Sequence, residues 1–177
     1  GIMGGINGFA VAKLKTPPFI ATMGTMLLAY GITSLYFDRP PYGAQPIAGL
    51  DKGFKQLAVG GFQIGDFRLP YLIIYAVIAC VIMWLIWNKT KLGKNMFAIG
   101  GNPEAAEVSG VNVVRNLIII YVMAGLLYGL AGSLEAARVG SATNNTGLMY
   151  EMDAIAACVV GGVSFSGGIG SIGGIIT

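Results

Sequence analysis

The sequence predicts an all-α protein, a polytopic bundle of transmembrane helices. Only 11% of its residues are charged and 55% are hydrophobic, whereas a soluble domain averages about 25% charged residues. Two uncharged runs, residues 71–87 and 117–134, are apolar enough to cross a membrane. The polar segment between them, residues 88–116, is longer than a plain connection requires. It therefore indicates a structured loop with a role of its own.

The predicted spans follow one another from the first residue. Residues 1–12 have the character of the tail of a span, with spaced glycines that allow close helix packing. Residues 19–37 form an uncharged span that begins directly after two prolines. Residues 71–87 make about 26 Å of helix, just under the roughly 30 Å of hydrocarbon in a bilayer, and residues 117–134 form the next span. Because the chain starts and stops inside apolar, glycine-rich runs without an initiator Met or a signal-peptide pattern, we expect an internal fragment of one longer membrane domain.

The sequence of the C-terminal part of the chain predicts a broken helix. Residues 135–153 are polar, and residues 154–163 are apolar but too short to span, which favours a re-entrant or discontinuous helix. A new helix is predicted from about residue 168. A discontinuous helix is tolerated at membrane depth only where it lies inside protein or lines a cavity.

The loops alternate between the two sides of the membrane. The side that carries residues 88–116 has a positive net charge, but Lys and Arg are almost equally numerous on both sides. The positive-inside rule therefore discriminates weakly, and a cytoplasmic position for residues 88–116 rests partly on their docking character. The loop at residues 42–70, on the other side, could contain a short strand or hairpin around residues 54–67.

A helix-start signal lies inside the 88–116 segment. Asn102 is a suitable N-cap, Pro103 suits the first helical position, and Glu104 places an acid in the first turn. The predicted docking residues are Asn102, Pro103, Glu104, Ala105, Ala106 and Gly110. Small side chains permit close approach of a partner, and the glycine lets the helix end and the chain turn. A short amphipathic helix held outside the membrane by two spans indicates docking to a soluble partner; an ordinary Ala-rich helical loop is the alternative.

Ionisable and polar residues also gather near the broken helix. Glu135, Arg138, Glu151 and Asp153 surround the end of a span and the start of the re-entrant segment, and such groups near a membrane path are functional candidates. The alternative is interfacial solvation with a Glu135–Arg138 pair, because span ends often carry such groups.

Several other functions are excluded by composition and motif. The chain has no His, so we expect no catalytic residues and no metal site. Cys80 and Cys158 lie in apolar runs and are interpreted as small hydrophobes. Residues 168–173 fit G-x-G-x-x-G but lack the preceding strand and following acid of a dinucleotide site, and no P-loop occurs, so we expect no cofactor on this chain. The net charge of +3 is too small to indicate nucleic acid.

Three stretches carry a resemblance to a known family. Residues 17–24 (PPFIATMG), residues 93–106 (GKNMFAIGGNPEAA) and residues 154–157 (AIAA) followed by two glycines resemble the monosaccharide permeases of ABC importers, the ribose, xylose and galactose group. Glu104-Ala105-Ala106 with Gly110 resembles the start of the EAA signature, which forms the coupling helix of ABC-importer permeases. Residues 120–123 (IYVM) depart from the Ile-x-Leu-Pro element that continues the full signature, which argues against the classes that bear it.

Within this group the resemblance is strongest to members that carry galactose and methyl-galactosides, through residues 140–145, 150–153 and 158–168. It implies a multi-pass subunit of the bacterial inner membrane that forms a homodimer and passes a monosaccharide. The implied partners are a cytoplasmic ABC ATPase that binds ATP and Mg, a periplasmic sugar-binding protein and membrane lipid. The residues suggested for the substrate path are Asn144, Asn145, Glu151 and Asp153, since amides and carboxylates hydrogen-bond sugar hydroxyls.

Two other function classes stay open at this point. An ion-coupled secondary sugar carrier also uses broken, glycine-rich helices, but it usually needs an intramembrane acid or base. None lies within residues 19–37, 71–87 or 117–134. A membrane scaffold without transport is the other.

Overall fold

The computed structural model describes residues 1–40, 45–64 and 67–176. Helices dominate this part of the chain, and the prediction of an all-α membrane bundle is confirmed. The helices are α1 (Ile2–Lys13), α2 (Pro18–Phe37), α3 (Lys52–Val59), α4 (Tyr71–Lys89), α5 (Lys91–Gly101), α6 (Pro103–Val108), α7 (Val113–Val139), α8 (Tyr150–Val160) and α9 (Ile172–Ile176). The short strands are β1 (Ile47–Ala48), β2 (Gly61–Ile64), β3 (Phe67–Pro70) and β4 (Ser141–Ala142).

Three helices in the described residues are long and apolar enough to cross a membrane: α2 with 20 residues, α4 with 19 and α7 with 27. None of their large apolar side chains is buried, and many point outward, for example Leu27, which is 63% exposed, and Val77, which is 56% exposed. A surface this apolar is unsuited to water but suits lipid or neighbouring helices. Helix α7 is longer than the predicted span of residues 117–134, because Asn112 caps its start and Gly140 (φ 76°) ends it.

Helix α1 packs lengthwise on α7 through glycines. A Cβ at Gly8 would lie 2.9 Å from Ile118 Cα, and a Cβ at Gly4 would collide with the Tyr121 carbonyl oxygen. Gly125 on α7 is equally close, since a Cβ there would lie 3.0 Å from Gly4 Cα. Small residues thus bring the two backbones together, as membrane helices often require.

One end of α7 is covered by α3 and the short strands. Asp51 caps α3 by accepting a hydrogen bond from the Gly53 amide at 2.8 Å, and Ala58 of α3 and Ala137 of α7 are both 1% exposed. Strands β1 and β4 pair antiparallel in the same region, with Ile47 opposite Ala142.

The predicted hairpin around residues 54–67 is partly wrong. Residues 54–59 belong to α3, because the Asp51 cap starts a helix there. The antiparallel pair is β2–β3, with Gly61 opposite Pro70. The two residues between these strands lie outside the described part of the chain, as do residues 41–44 at the start of the predicted 42–70 loop.

The C-terminal helices form a broken pair. Helix α8 already begins at Tyr150, inside the segment that the sequence suggested as a polar loop, and it ends at Val160. A glycine turn leads to a second turn at residues 164–169 and then to α9. The two helices touch where a Cβ on Gly161 would lie 2.6 Å from the Gly174 carbonyl oxygen.

Candidate functional site

The segment between α4 and α7 contains two helices, α5 and α6. We call residues 90–112 the docking segment, after the role that the sequence predicts for them. Sequence reasoning found α6 and missed α5. The missed signal was Thr90, whose hydroxyl accepts a hydrogen bond from the Gly93 amide at 3.2 Å and caps α5. Ile99, which is 6% exposed, gives α5 a buried side.

Helix α5 is fixed against its neighbours at its start and at mid-helix. At its start, Gly93 lies so close to the end of α4 that a Cβ would collide with the Trp87 carbonyl oxygen. The Trp87 and Phe97 rings are 6.3 Å apart, a separation typical of an aromatic pair. At mid-helix, Asn95 donates a hydrogen bond to Asn116 of α7 at 3.3 Å. The docking segment is therefore held to two apolar helices.

Helix α6 starts at the position that its sequence signal indicates. The Asn102 side-chain oxygen accepts a hydrogen bond from the Ala105 amide at 3.0 Å, and Pro103 occupies the first helical turn. The helix ends in a Schellman motif. The Gly110 amide donates to Glu107 O at 2.9 Å, and the Val111 amide donates to Ala106 O at 3.0 Å. Gly110 has φ of 83°, a left-handed conformation that favours glycine.

The two faces of α6 differ in exposure. Ala106 is 4% exposed and faces the rest of the chain, whereas Val108 is 91% exposed. Glu104, Ala105 and Glu107 are also exposed. The outer face therefore offers an apolar tip, a small residue and two acids, which a groove in a soluble partner could accept.

A second group of residues lies where α2 meets the loop before α8. The Asn144 side-chain amide donates a hydrogen bond to Ser34 Oγ at 3.2 Å. The Tyr30 hydroxyl donates to the Asn145 side-chain oxygen at 3.3 Å. We call these four residues the polar cluster. Sequence reasoning identified both asparagines but not their partners on α2.

The suggested acids do not join this cluster through hydrogen bonds. Glu151 and Asp153 are exposed in the first turn of α8, and neither carboxylate makes a hydrogen bond or ion pair within the described residues. Glu135 instead forms an ion pair with Arg138 at 2.7 Å and accepts a hydrogen bond from the Tyr150 hydroxyl at 3.2 Å. The Glu135–Arg138 pair suggested by the sequence is therefore present.

No group of side chains suited to holding a metal ion is found in residues 1–40, 45–64 and 67–176. Cys80 and Cys158 are both free and half-buried.

The whole chain, residues 1–177, matches the family described as "Branched-chain amino acid transport system / permease component". It is 59% identical over 99% of its length to the Galactose/methyl galactoside import permease protein MglC of Haemophilus influenzae, and 58% identical over the same share to MglC of Escherichia coli; it covers 52% of each. The Ribose import permease protein RbsC of Bacillus subtilis is 43% identical over 96% of the chain, which covers 51% of that relative.

The chain spans about half the length of the curated relatives that it matches. No solved structure matches significantly. Since the family match extends from the first residue to the last, the chain belongs to the family of branched-chain amino acid transport system permease components.

Proposed function

We propose that this chain forms the core of the transmembrane subunit of an ATP-binding-cassette importer that passes a monosaccharide, galactose or a methyl-galactoside, across the bacterial inner membrane. The observation that carries the proposal is 58–59% identity along 99% of the chain to permeases named for galactose and methyl galactoside import. ATP and Mg²⁺ are bound by a separate cytoplasmic ATPase, and the chain itself binds no cofactor.

The docking segment receives the ATPase. Helix α6 presents Glu104, Ala105 and the exposed tip Val108 to a groove in that partner, while its buried Ala106 keeps it seated on the permease. Because α5 is fixed to α4 and α7, movement of α6 is passed to two of the three long apolar helices. This role places residues 90–112 on the cytoplasmic side.

The polar cluster contacts the sugar. Asn144 and Asn145 present amides beside the Tyr30 ring and Ser34 hydroxyl of α2. Amides and hydroxyls bind sugar hydroxyls, and an aromatic face stacks on a pyranose. The exposed acids Glu151 and Asp153 lie a few residues further along the chain, in the first turn of α8, and offer carboxylates to sugar hydroxyls.

The functional importer contains a second copy of the permease and receives sugar from a periplasmic binding protein. A single copy of the described residues leaves no large apolar side chain of α2, α4 or α7 buried, and many of them are exposed. Lipid, the second copy and the rest of the permease share this surface. Charged side chains lie only near the ends of these three helices within the described residues, at Lys89, Arg115, Glu135 and Arg138. An ion-coupled mechanism usually uses a charged residue in mid-membrane.

Uptake of labelled galactose tests the proposal. Cells that carry the full-length permease with its partners are treated in two ways: one poison collapses the proton gradient while ATP is kept, and the other depletes ATP while the gradient is kept. Loss of uptake only on ATP depletion is the expected result. Loss only on collapse of the gradient would overturn the proposal in favour of an ion-coupled carrier. No galactose uptake without poison would overturn the choice of sugar.

A further inference from the structure

The end of α5 meets the turn after α8 at a point where glycine backbones touch. A Cβ on Gly100 would lie 2.5 Å from the Gly168 amide nitrogen and 3.1 Å from Gly168 Cα. From the other side, a Cβ on Gly168 would lie 2.9 Å from Gly101 Cα. Real Cβ atoms do not approach other atoms this closely, so neither Gly100 nor Gly168 can carry a side chain without displacement of the other segment.

The two glycines differ in what they require of the backbone. Gly168 has φ of 72° and needs glycine for its conformation as well as for space. Gly100 is helical and needs glycine for space only. Its neighbour Gly101 is also helical, and a Cβ there meets nothing within 4 Å. Gly100 and Gly101 are therefore a matched pair on the same turn of α5: an added Cβ would collide with the other segment at Gly100 and would meet open space at Gly101.

The turn that Gly100 touches is held together by its own hydrogen bonds. The Ser164 amide donates to Ile169 O at 3.0 Å, and the Gly167 amide donates to Ser164 O at 3.2 Å. This turn connects α8 with α9, and α8 begins directly after the loop that carries the polar cluster. On the other side, Gly100 lies just before Asn102, which caps α6.

We propose that the Gly100–Gly168 contact passes the movement of the docking segment to the broken helix α8–α9, so that both glycines are positioning residues for sugar passage. The inference rests on the proposed function. Its physical basis is that two backbones in direct contact, without side chains that could change rotamer between them, cannot slide into one another. A tilt of α5 toward the turn must therefore displace the turn and, with it, the end of α8.

The test compares Gly100→Ala with Gly101→Ala in the full-length permease assembled with its ATPase and binding protein in lipid vesicles. Both changes replace a glycine in the last turn of α5 by alanine, but only the one at Gly100 adds a Cβ to the contact, so a difference between them reports the contact. We expect Gly100→Ala to lower the ratio of galactose uptake to ATP hydrolysis about tenfold, the scale of an ordinary coupling energy. Gly101→Ala should keep the wild-type ratio. Equal ratios in the two variants, whether both normal or both lowered, would overturn the proposal.

A second measurement follows α8 directly. Cys158 lies near the end of α8 and is half-buried. Its rate of reaction with a maleimide, in a complex whose other cysteines, Cys80 included, are replaced by Ser, reports movement there. We expect ATP to change this rate in the wild-type complex and in Gly101→Ala, but not in Gly100→Ala. Should Gly100→Ala fail to reach the membrane, the proposal is tested in the wild-type complex. A maleimide reaction rate of Cys158 that changes with ATP supports the proposal, and a rate that ATP leaves unchanged overturns it. Failure of the proposed function would be seen separately, as wild-type uptake that does not depend on ATP.

Discussion

The side-chain amide of Asn95 on α5 donates a hydrogen bond of 3.3 Å to the side-chain oxygen of Asn116 near the start of α7. Asn116 is 8% exposed and is the one buried polar side chain in the described part of the chain. Its own amide donates to the Asn112 carbonyl at 2.7 Å. Because buried polar groups are nearly always hydrogen-bonded, this pair fixes where the docking segment lies against the longest apolar helix.

Replacement of Asn116 by Ala should therefore destabilise the protein. The change removes both hydrogen bonds of a buried side chain, which costs about 1–3 kcal/mol. Asn95→Ala should cost less, because Asn95 is only half-buried and water can replace its partner. Thermal unfolding of the purified full-length protein in detergent measures both. A midpoint for Asn116→Ala equal to that of the wild type, or higher than that of Asn95→Ala, would contradict this role.

The glycine packing between α1 and α7 makes a second prediction about stability. Gly4→Ala would drive a Cβ into the Tyr121 carbonyl, whereas a Cβ at Gly5 would lie 3.8 Å from Val122 Cγ2, an ordinary contact. Overpacking of this kind costs about 1–3 kcal/mol, and both variants gain the same helix propensity. We expect a lower thermal midpoint for Gly4→Ala and an unchanged or raised one for Gly5→Ala. Equal midpoints would show that the α1–α7 contact is not tight.

Local signals account for the parts of the structure that the sequence predicted well. The start of α6 depends on Asn102 and Pro103, and its end depends on Gly110, so every group involved lies within a few residues of the next. The long apolar helices likewise follow from uncharged runs, whose ends are marked by charges, prolines and caps. Helix α5 also had a local signal in Thr90, but its three glycines obscured the helical pattern.

Contacts between distant residues account for what the sequence could not predict. The Tyr30 hydroxyl and the Asn145 side chain are 115 residues apart in the chain, and Asn144 and Ser34 are 110 apart. Their meeting depends on how α2 packs beside the loop before α8, which no local pattern encodes. The same holds for the Gly100–Gly168 contact. A single sequence indicated that these residue types were suitable, but not that they would be neighbours.

The left-handed end of α6 predicts a difference between two substitutions of Gly110. Its φ of 83° is unfavourable for most side chains by about 1–2 kcal/mol, while a Cβ there would meet nothing within 4 Å. Gly110→Val should therefore unwind the end of α6 and lower the ratio of galactose uptake to ATP hydrolysis. Gly110→Asn should retain that ratio, because Asn tolerates this conformation. Vesicles with the complete importer give both quantities, and equal ratios for Val and Asn would refute the dependence on φ.

Reversal of the charge at Glu104 tests the outer face of α6. Glu104 is exposed in the first helical turn and does not hold the fold together. Loss of its favourable position at the helix N-terminus costs only about 0.3–1 kcal/mol. Glu104→Arg should nevertheless reduce co-purification of the ATPase with the full-length permease, because it adds bulk and opposite charge to the docking face. Glu104→Gln, which loses the same helix-dipole interaction, is the control. Normal uptake and normal ATPase capture by Glu104→Arg would exclude this face as the docking surface.

Substitutions in the polar cluster should weaken the affinity of the permease for sugar. Tyr30→Phe removes only the hydroxyl that donates to Asn145 at 3.3 Å and keeps the aromatic ring. A hydrogen bond contributes about 0.5–1.5 kcal/mol, which corresponds to about a two- to tenfold rise in the KM for galactose uptake. Tyr128→Phe is the matched control, because Tyr128 on α7 is 74% exposed and takes no part in the hydrogen bonds of the cluster. Asn145→Ala should raise KM at least as much as Tyr30→Phe, since it removes the acceptor and an amide that can bind sugar. If Tyr30→Phe changed the maximal rate and left KM unchanged, the hydroxyl would act in helix packing between α2 and the loop rather than in sugar binding.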